Sequence, residues 1–260
     1  MTPAENVKSL QPSDAGGVGD ISDNQQKWVE LNANITTCRL CPRLVAYREE
    51  IARVKKRAFR DWEYWGKPVP GFGDPHARLL VVGLAPGAHG SNRTGRMFTG
   101  DSSGDFLYAA LHRVGMANQP TTVHRDDGLR LRDVFITAIC RCVPPDNKPT
   151  PEEIRACQPF LEAEMDLLSG FKGIVALGSL AFQQVLAIYR NHGRPVGRLD
   201  FAHNAYYDLG DGLPWLLASY HPSRQNTQTG RLTPTMFDAI WQRAKILLDG
   251  QWDPGTSNRG

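Results

Sequence analysis

Four stretches of the chain are apolar at nearly every position and bounded by glycine, proline or charge: Ala77–Gly83, Asp133–Cys140, Gly173–Gly178 and Trp215–Tyr220. Short runs without polar alternation predict strands buried on both faces, as in a parallel sheet covered above and below. Between them, apolar residues recur at helical spacing. Thr150-Pro151-Glu152-Glu153 places Thr at an N-cap, Pro in the first turn and Glu three residues on, a capping box opening a helix to about Leu168. Ser179 opens another over LAFQQVLAIYR. Thr233-Pro234 opens a third, with Met236, Phe237, Ile240, Trp241, Ala244 and Leu247 on one face. A helix from about Gly104 to Val114 follows the first strand and stops at Gly115. This alternation predicts an α/β protein: a three-layer α/β/α sandwich with a central four-stranded, mostly parallel sheet. Residues 1–25 and 251–260 carry little to bury, so they read as flexible N- and C-terminal tails around a single domain at 26–250.

Composition adds exclusions. The 260 residues are 41% hydrophobic, enough for a substantial core. No apolar run approaches the roughly 18 residues of a membrane helix, and the start lacks a secretory signal. The expectation is a cytoplasmic protein with no membrane partner. The net charge of +3 is unevenly spread. Residues 39–60 hold eight basic and two acidic side chains, while the other residues hold 22 basic and 25 acidic. That local excess suits either a solvated helix face or a stripe for phosphates.

The unusual residues gather at strand exits. Gly83-Leu84-Ala85-Pro86-Gly87 leaves the first strand and His221-Pro222-Ser223 leaves the last. Open α/β sheets bind ligands beyond the carboxyl ends of their strands. The glycine-rich stretch lacks the Gly-Lys-Ser/Thr of a nucleotide phosphate loop. Of five cysteines, Cys38-x2-Cys41 and the later pair Cys142 and Cys157 have the spacing of a four-ligand metal centre, and Cys140 is spare. Spacing alone fits zinc or an iron–sulfur cluster.

GLAPGAHG (83–90), NRTGRMFTGD (92–101), CVPPDNKPTPEE (142–153) and HPSRQNTQTGR (221–231) together resemble the uracil-DNA glycosylase superfamily. The best match is family 5, the iron–sulfur type with broad substrate range, over about Cys38 to Leu247. The resemblance implies a monofunctional DNA glycosylase of base-excision repair. It would flip uracil, hypoxanthine or other modified bases out of damaged, double-stranded DNA and leave an abasic site. A structural [4Fe–4S] cluster on Cys38, Cys41, Cys142 and Cys157 is implied, with zinc the rival occupant, and the protein is expected to act as a monomer.

The resemblance also assigns residues. His221 would donate to the leaving base and Asn226 would position water or base. Asp101 stands in by elimination for the family's carboxylate, to stabilise the sugar cation and orient water, with a cap on the helix near Gly104 as its other role. Phe98 would stack on the base, with Gly83, Leu84, Ala85, Gly87 and Ala138 lining its pocket. His89, Asn92 and Arg93 would line the site or touch phosphate, while Ser223, Arg224 and Gln225 meet the duplex. Arg53, Lys55, Lys56 and Arg57 would present the basic stripe to DNA. Two departures stand out: Leu84 replaces the Glu of a GEAPG motif, and Ala138 replaces an Asn that reads uracil, which predicts a permissive pocket. The competing readings are a non-catalytic damage-binding module of the same fold and a zinc-bearing nucleotide hydrolase.

Overall fold

The computed structural model describes residues 23–210 and 212–251. Most of both expected tails therefore lies outside the described residues. Asp23–Gln25, assigned to the first tail, instead form the opening turn of a helix. In chain order the elements are α1 (Asp23–Thr37), α2 (Pro42–Val54), β1 (Phe72–Gly73), β2 (Leu79–Gly83), α3 (Ser91–Thr94), α4 (Ser102–Arg113), β3 (Val134–Ala138), α5 (Pro151–Leu167), β4 (Gly173–Leu177), α6 (Ser179–Asn191), β5 (Tyr206–Tyr207), β6 (Trp215–Ser219), α7 (Arg224–Gln228) and α8 (Pro234–Leu248).

The sheet has six strands in the order β1-β3-β2-β4-β6-β5. The four apolar runs form its centre, β3, β2, β4 and β6, all parallel to their neighbours. The expected four-stranded sheet is corrected by two antiparallel edge strands, β1 beside β3 and β5 beside β6. Each edge strand has only two residues, too few to carry a periodic signal.

Successive side chains of a strand point to opposite faces. Leu79, Val81, Ile136, Val175 and Leu217 accordingly pack with Leu107, Leu111, Phe237 and Trp241 of α4 and α8. Leu80, Val82, Phe135, Ile174 and Leu216 pack on the other face with Trp28, Leu161, Phe182 and Val185 of α1, α5 and α6. Helices thus cover both faces, which explains the unbroken apolar runs. The expected capping box of α5 is complete, and Thr233 caps α8 through the Met236 N–H. No described helix is long and apolar enough to cross a membrane.

Candidate active site

The site forms where β2, β4 and β6 end. A Cβ on Gly83 would lie 2.8 Å from the Phe98 ring, so glycine lets that ring cover the strand end. Phe98 is on a turn and has φ +50. A left-handed bulky residue costs about 1–3 kcal/mol and persists only when its surroundings hold it. Here Tyr108 Oη donates to the Met97 carbonyl at 2.7 Å, and Gly104 packs so tightly on the Phe98 carbonyl that any Cβ would collide. The ring stacks on His221, which follows β6, with centroids 5.8 Å apart and planes 30° apart. Ala138 ends β3 beside Gly83 in the register and is buried. Leu84 and Ala85 pack toward the face of α1, α5 and α6, so no carboxylate enters from that segment.

Asp101 supplies the carboxylate. Its Oδ1 accepts N–H groups of Ser103 (3.0 Å) and Gly104 (3.1 Å), capping α4. Its Oδ2 turns toward the glycine-rich loop. A Cβ on Gly87 would lie 2.7 Å from Oδ2, and one on Gly90 only 1.9 Å. These glycines therefore make room for the carboxylate. Burial pushes the Asp101 carboxyl above its ordinary range, while the helix N–H groups and Arg93 pull it back. Burial pushes the His221 imidazole down to about 4, so it is neutral near pH 7.

Asn226 is engaged in the loop itself: its Nδ2 donates to the His221 carbonyl at 2.8 Å. Ser223 caps α7 through the Asn226 N–H, and Arg224 and Gln225 are exposed beside it. His89 is half-buried with Nδ1 3.1 Å from Tyr64 Oη, and burial, followed by the Lys56 and Arg93 charges, lowers its pKa.

Asn92 and Arg93, expected to line the site or touch phosphate, are only 1% and 4% exposed and brace the loop from within. Asn92 Nδ2 donates to the Arg48 carbonyl at 3.2 Å. The Arg93 guanidinium lies between the rings of Phe59 (3.9 Å) and Trp62 (4.0 Å) and donates to the carbonyls of His89 and Gly100. The basic stripe is also narrower than its sequence. Arg39, Arg43 and Arg53 pair with Glu49, Glu153 and Glu50, and Arg48 is buried. Lys55 bends back to the Arg60 carbonyl. Lys56 and Arg57 remain exposed beyond the end of α2.

Cys38, Cys41, Cys142 and Cys157 line one cavity at the start of α2, walled by Leu44, Val45, Pro68 and Phe160. The fold thus unites residues more than a hundred positions apart. Buried Cys140 is not among the lining residues. Among the described residues, no group of three or more His, Cys, Asp or Glu side chains is placed to hold a metal ion. Arg48 Nη1 donates to Cys142 Sγ at 2.9 Å, and the Arg141 N–H donates to Cys157 Sγ at 3.2 Å.

The sequence reading missed Arg48 and Arg96. Arg48 carried a signal, since it shares a helical face with Leu44 and Val45, where a charge is out of place. Arg96 carried none. Its partner Asp127 is 31 residues away and meets it only in the folded chain.

The family model "Uracil DNA glycosylase superfamily" matches residues 70–245. A type-5 uracil-DNA glycosylase of Mycobacterium bovis is 55% identical over 234 residues, covering 90% of this chain and 84% of that protein. One from Thermus thermophilus is 56% identical over 215 residues, covering 82% and 94%. The crystal structure of Pedobacter heparinus SMUG2 shares the fold, with a TM-score of 0.50 at 12% identity, covering 86% of this chain and 97% of that one. The match across most of the ordered sheet and the identity to these relatives lead to one conclusion: the chain belongs to the uracil-DNA glycosylase superfamily, in its type-5 branch.

Proposed function

We propose that this site removes uracil from DNA by hydrolysing the bond between base and deoxyribose, the first step of base-excision repair. The chain is then a DNA glycosylase, a hydrolase of N-glycosyl bonds. The observation that carries the reading is the half-buried Asp101 carboxylate, seated against Gly87 and Gly90 beside the turn that holds Phe98 against neutral His221. Breaking the bond leaves positive charge on the sugar and negative charge on the base. Asp101 stabilises the first and accepts a hydrogen bond from the water that adds to the sugar carbon. His221 donates to the departing base. A neutral imidazole suits that role, because it spreads the developing charge without surrendering a proton. Asn226 holds the His221 carbonyl and so fixes the donor's position.

Phe98, Gly83 and Ala138 give the base an apolar seat. With no amide side chain at position 138, the pocket accepts hypoxanthine and other modified bases as well as uracil. Lys56, Arg57, Arg224 and Gln225 are the exposed groups that meet the duplex, the last two beside the gap left by the flipped base.

Cys38, Cys41, Cys142 and Cys157 are the ligands of a [4Fe–4S] cluster in this reading. Their donor set fits the group: four thiols line one cavity, and the sulfurs of Cys142 and Cys157 each accept an N–H. When bound, the cluster supplies cross-links between the segment before α2, the exit of β3 and α5. It takes no part in hydrolysis, which requires no electron transfer.

The test is incubation with a uracil-containing duplex, followed by alkali to cleave abasic sites. Strand breaks at uracil, and at hypoxanthine in a second substrate, are expected. Intact strands on both substrates would overturn the proposal.

A further inference from the structure

Arg48 presents a problem of charge. Its side chain lies in the second turn of α2 and the residue is only 2% exposed. Burying a guanidinium costs several kcal/mol unless an anion and hydrogen bonds compensate it. The nearest carboxylate, Glu49, stands 3.8 Å from Nη2 and is gripped by Arg39 through both its oxygens. Arg48 Nε has no partner among the described residues. Its direct bonds are Nη2 to the Cys38 carbonyl (3.2 Å) and Nη1 to Cys142 Sγ (2.9 Å). A neutral thiol is a weak acceptor and brings no charge, whereas a metal-bound thiolate brings both.

Arg141, which lines the cavity, already has a carboxylate partner. Arg141 spends its guanidinium on Glu164, at 2.7 Å, and on the Thr137 hydroxyl. Glu164 also accepts the Gly71 N–H at 3.1 Å. The ion pair is fully buried, although the Arg141 Nε, like that of Arg48, has no partner among the described residues. Arg48, by contrast, has no carboxylate nearer than Glu49 at 3.8 Å.

We propose that Arg48 is the counter-ion of the metal centre and that its hydrogen bond to Cys142 sets the cluster's reduction potential and its resistance to oxidative loss. This rests on the iron–sulfur reading above. Four thiolates outweigh the charge of the cluster core, leaving an anion for the guanidinium to neutralise. Hydrogen bonds to cluster sulfurs favour the more negative, reduced state and so raise the potential. Arg48 is a positioning residue and touches no substrate. Its second role is mechanical. The Arg48 carbonyl receives Asn92 Nδ2, and the Asn92 N–H donates to the Gly87 carbonyl at 3.0 Å, so one residue ties the cysteine cavity to the pocket loop.

The experiment compares wild-type holoprotein with Arg48→Gln and Arg48→Lys, with exposed Arg53→Gln on the same helix as control. Iron, labile sulfide, the midpoint potential and the rate of bleaching by ferricyanide are measured. Arg48→Gln should move the potential to more negative values and bleach faster by about tenfold or more, the range found when partners of metal ligands are removed. Arg48→Lys keeps the charge but loses the two-pronged geometry, and should fall between. Should Arg48→Gln fail to fold, Arg48→Lys carries the test. Wild-type potential and bleaching in every Arg48 variant that folds would overturn the proposal. A wild-type protein containing zinc and no labile sulfide would instead overturn the iron–sulfur reading on which it stands.

Discussion

Replacing Asp101 by asparagine separates the two tasks of its carboxylate, because asparagine caps a helix about as well as aspartate. The oxygen that accepts from Ser103 and Gly104 survives in Asp101→Asn, while the charge facing Gly87 and Gly90 is lost. Stability should change by less than about 1 kcal/mol, and the single-turnover rate should fall roughly 100-fold or more. A wild-type rate would leave Asp101 with the cap alone. The pH profile supplies a second readout. Asp101 acts as the anion, so the rate should fall as pH drops through its carboxyl pKa, at a pH above the ordinary aspartate range because burial raises it. His221 acts neutral and protonates only near pH 4, so it should add no step between pH 5 and 8. Both roles were visible in the sequence as motif positions. The reasons for the glycines were not, since the contact from Gly90 to Asp101 depends on how the loop folds back.

At the scale of elements, the segment 122–129 shows how the turn bearing Phe98 is held. All five N–H donors of buried Arg96 are used: to Thr99 Oγ1 (2.8 Å), Thr122 Oγ1 (3.0 Å), the Arg125 carbonyl (3.0 Å) and both oxygens of Asp127 (2.9 and 2.8 Å). Asp127 also accepts the N–H groups of Val123, His124 and Leu129. Burial works against its charge, yet Arg96 and these N–H groups hold its carboxyl below the usual range. Asp127→Ala strands a buried guanidinium and should cost about 3–5 kcal/mol in urea unfolding. Because the folded pKa is depressed, this contribution is present above the unfolded carboxyl's pKa and is lost as pH falls toward the folded value. A loss under 1 kcal/mol, or one unchanged by acid, would contradict this account. Sequence periodicity marked α4, α5, α6 and α8 through caps and apolar stripes. It gave no sign of the Arg96–Asp127 pair, whose members share no helix or strand.

For the whole molecule, the mild net charge conceals where DNA binding resides. Most arginines of α2 are already paired or buried, whereas Lys56, Arg57 and Arg60 follow it exposed. If Lys56 and Arg57 both contact phosphates, the double variant Lys56→Ala/Arg57→Ala should weaken binding and flatten the plot of log K against log salt by about 1.8. Base preference should be unchanged, because phosphate contacts carry no base information. Arg53→Ala, whose charge is shared with Glu50, should alter the slope less. An unchanged slope in the double variant would place the DNA elsewhere on the surface.

The sequence by itself determined the parallel core, its principal helices, the strand exits at which chemistry gathers, and the family. These depend on local periodicity, capping residues and contiguous motifs, all of which are read along the chain. Tertiary structure alone decided the edge strands, the burial of Asn92 and Arg93, the pairing that narrows the basic stripe, and the enclosure of one cavity by four distant cysteines. Each of those depends on which groups meet across long separations. Charge and burial belong to that meeting, so the same arginine is a phosphate contact in one fold and the counter-ion of a buried sulfur in another.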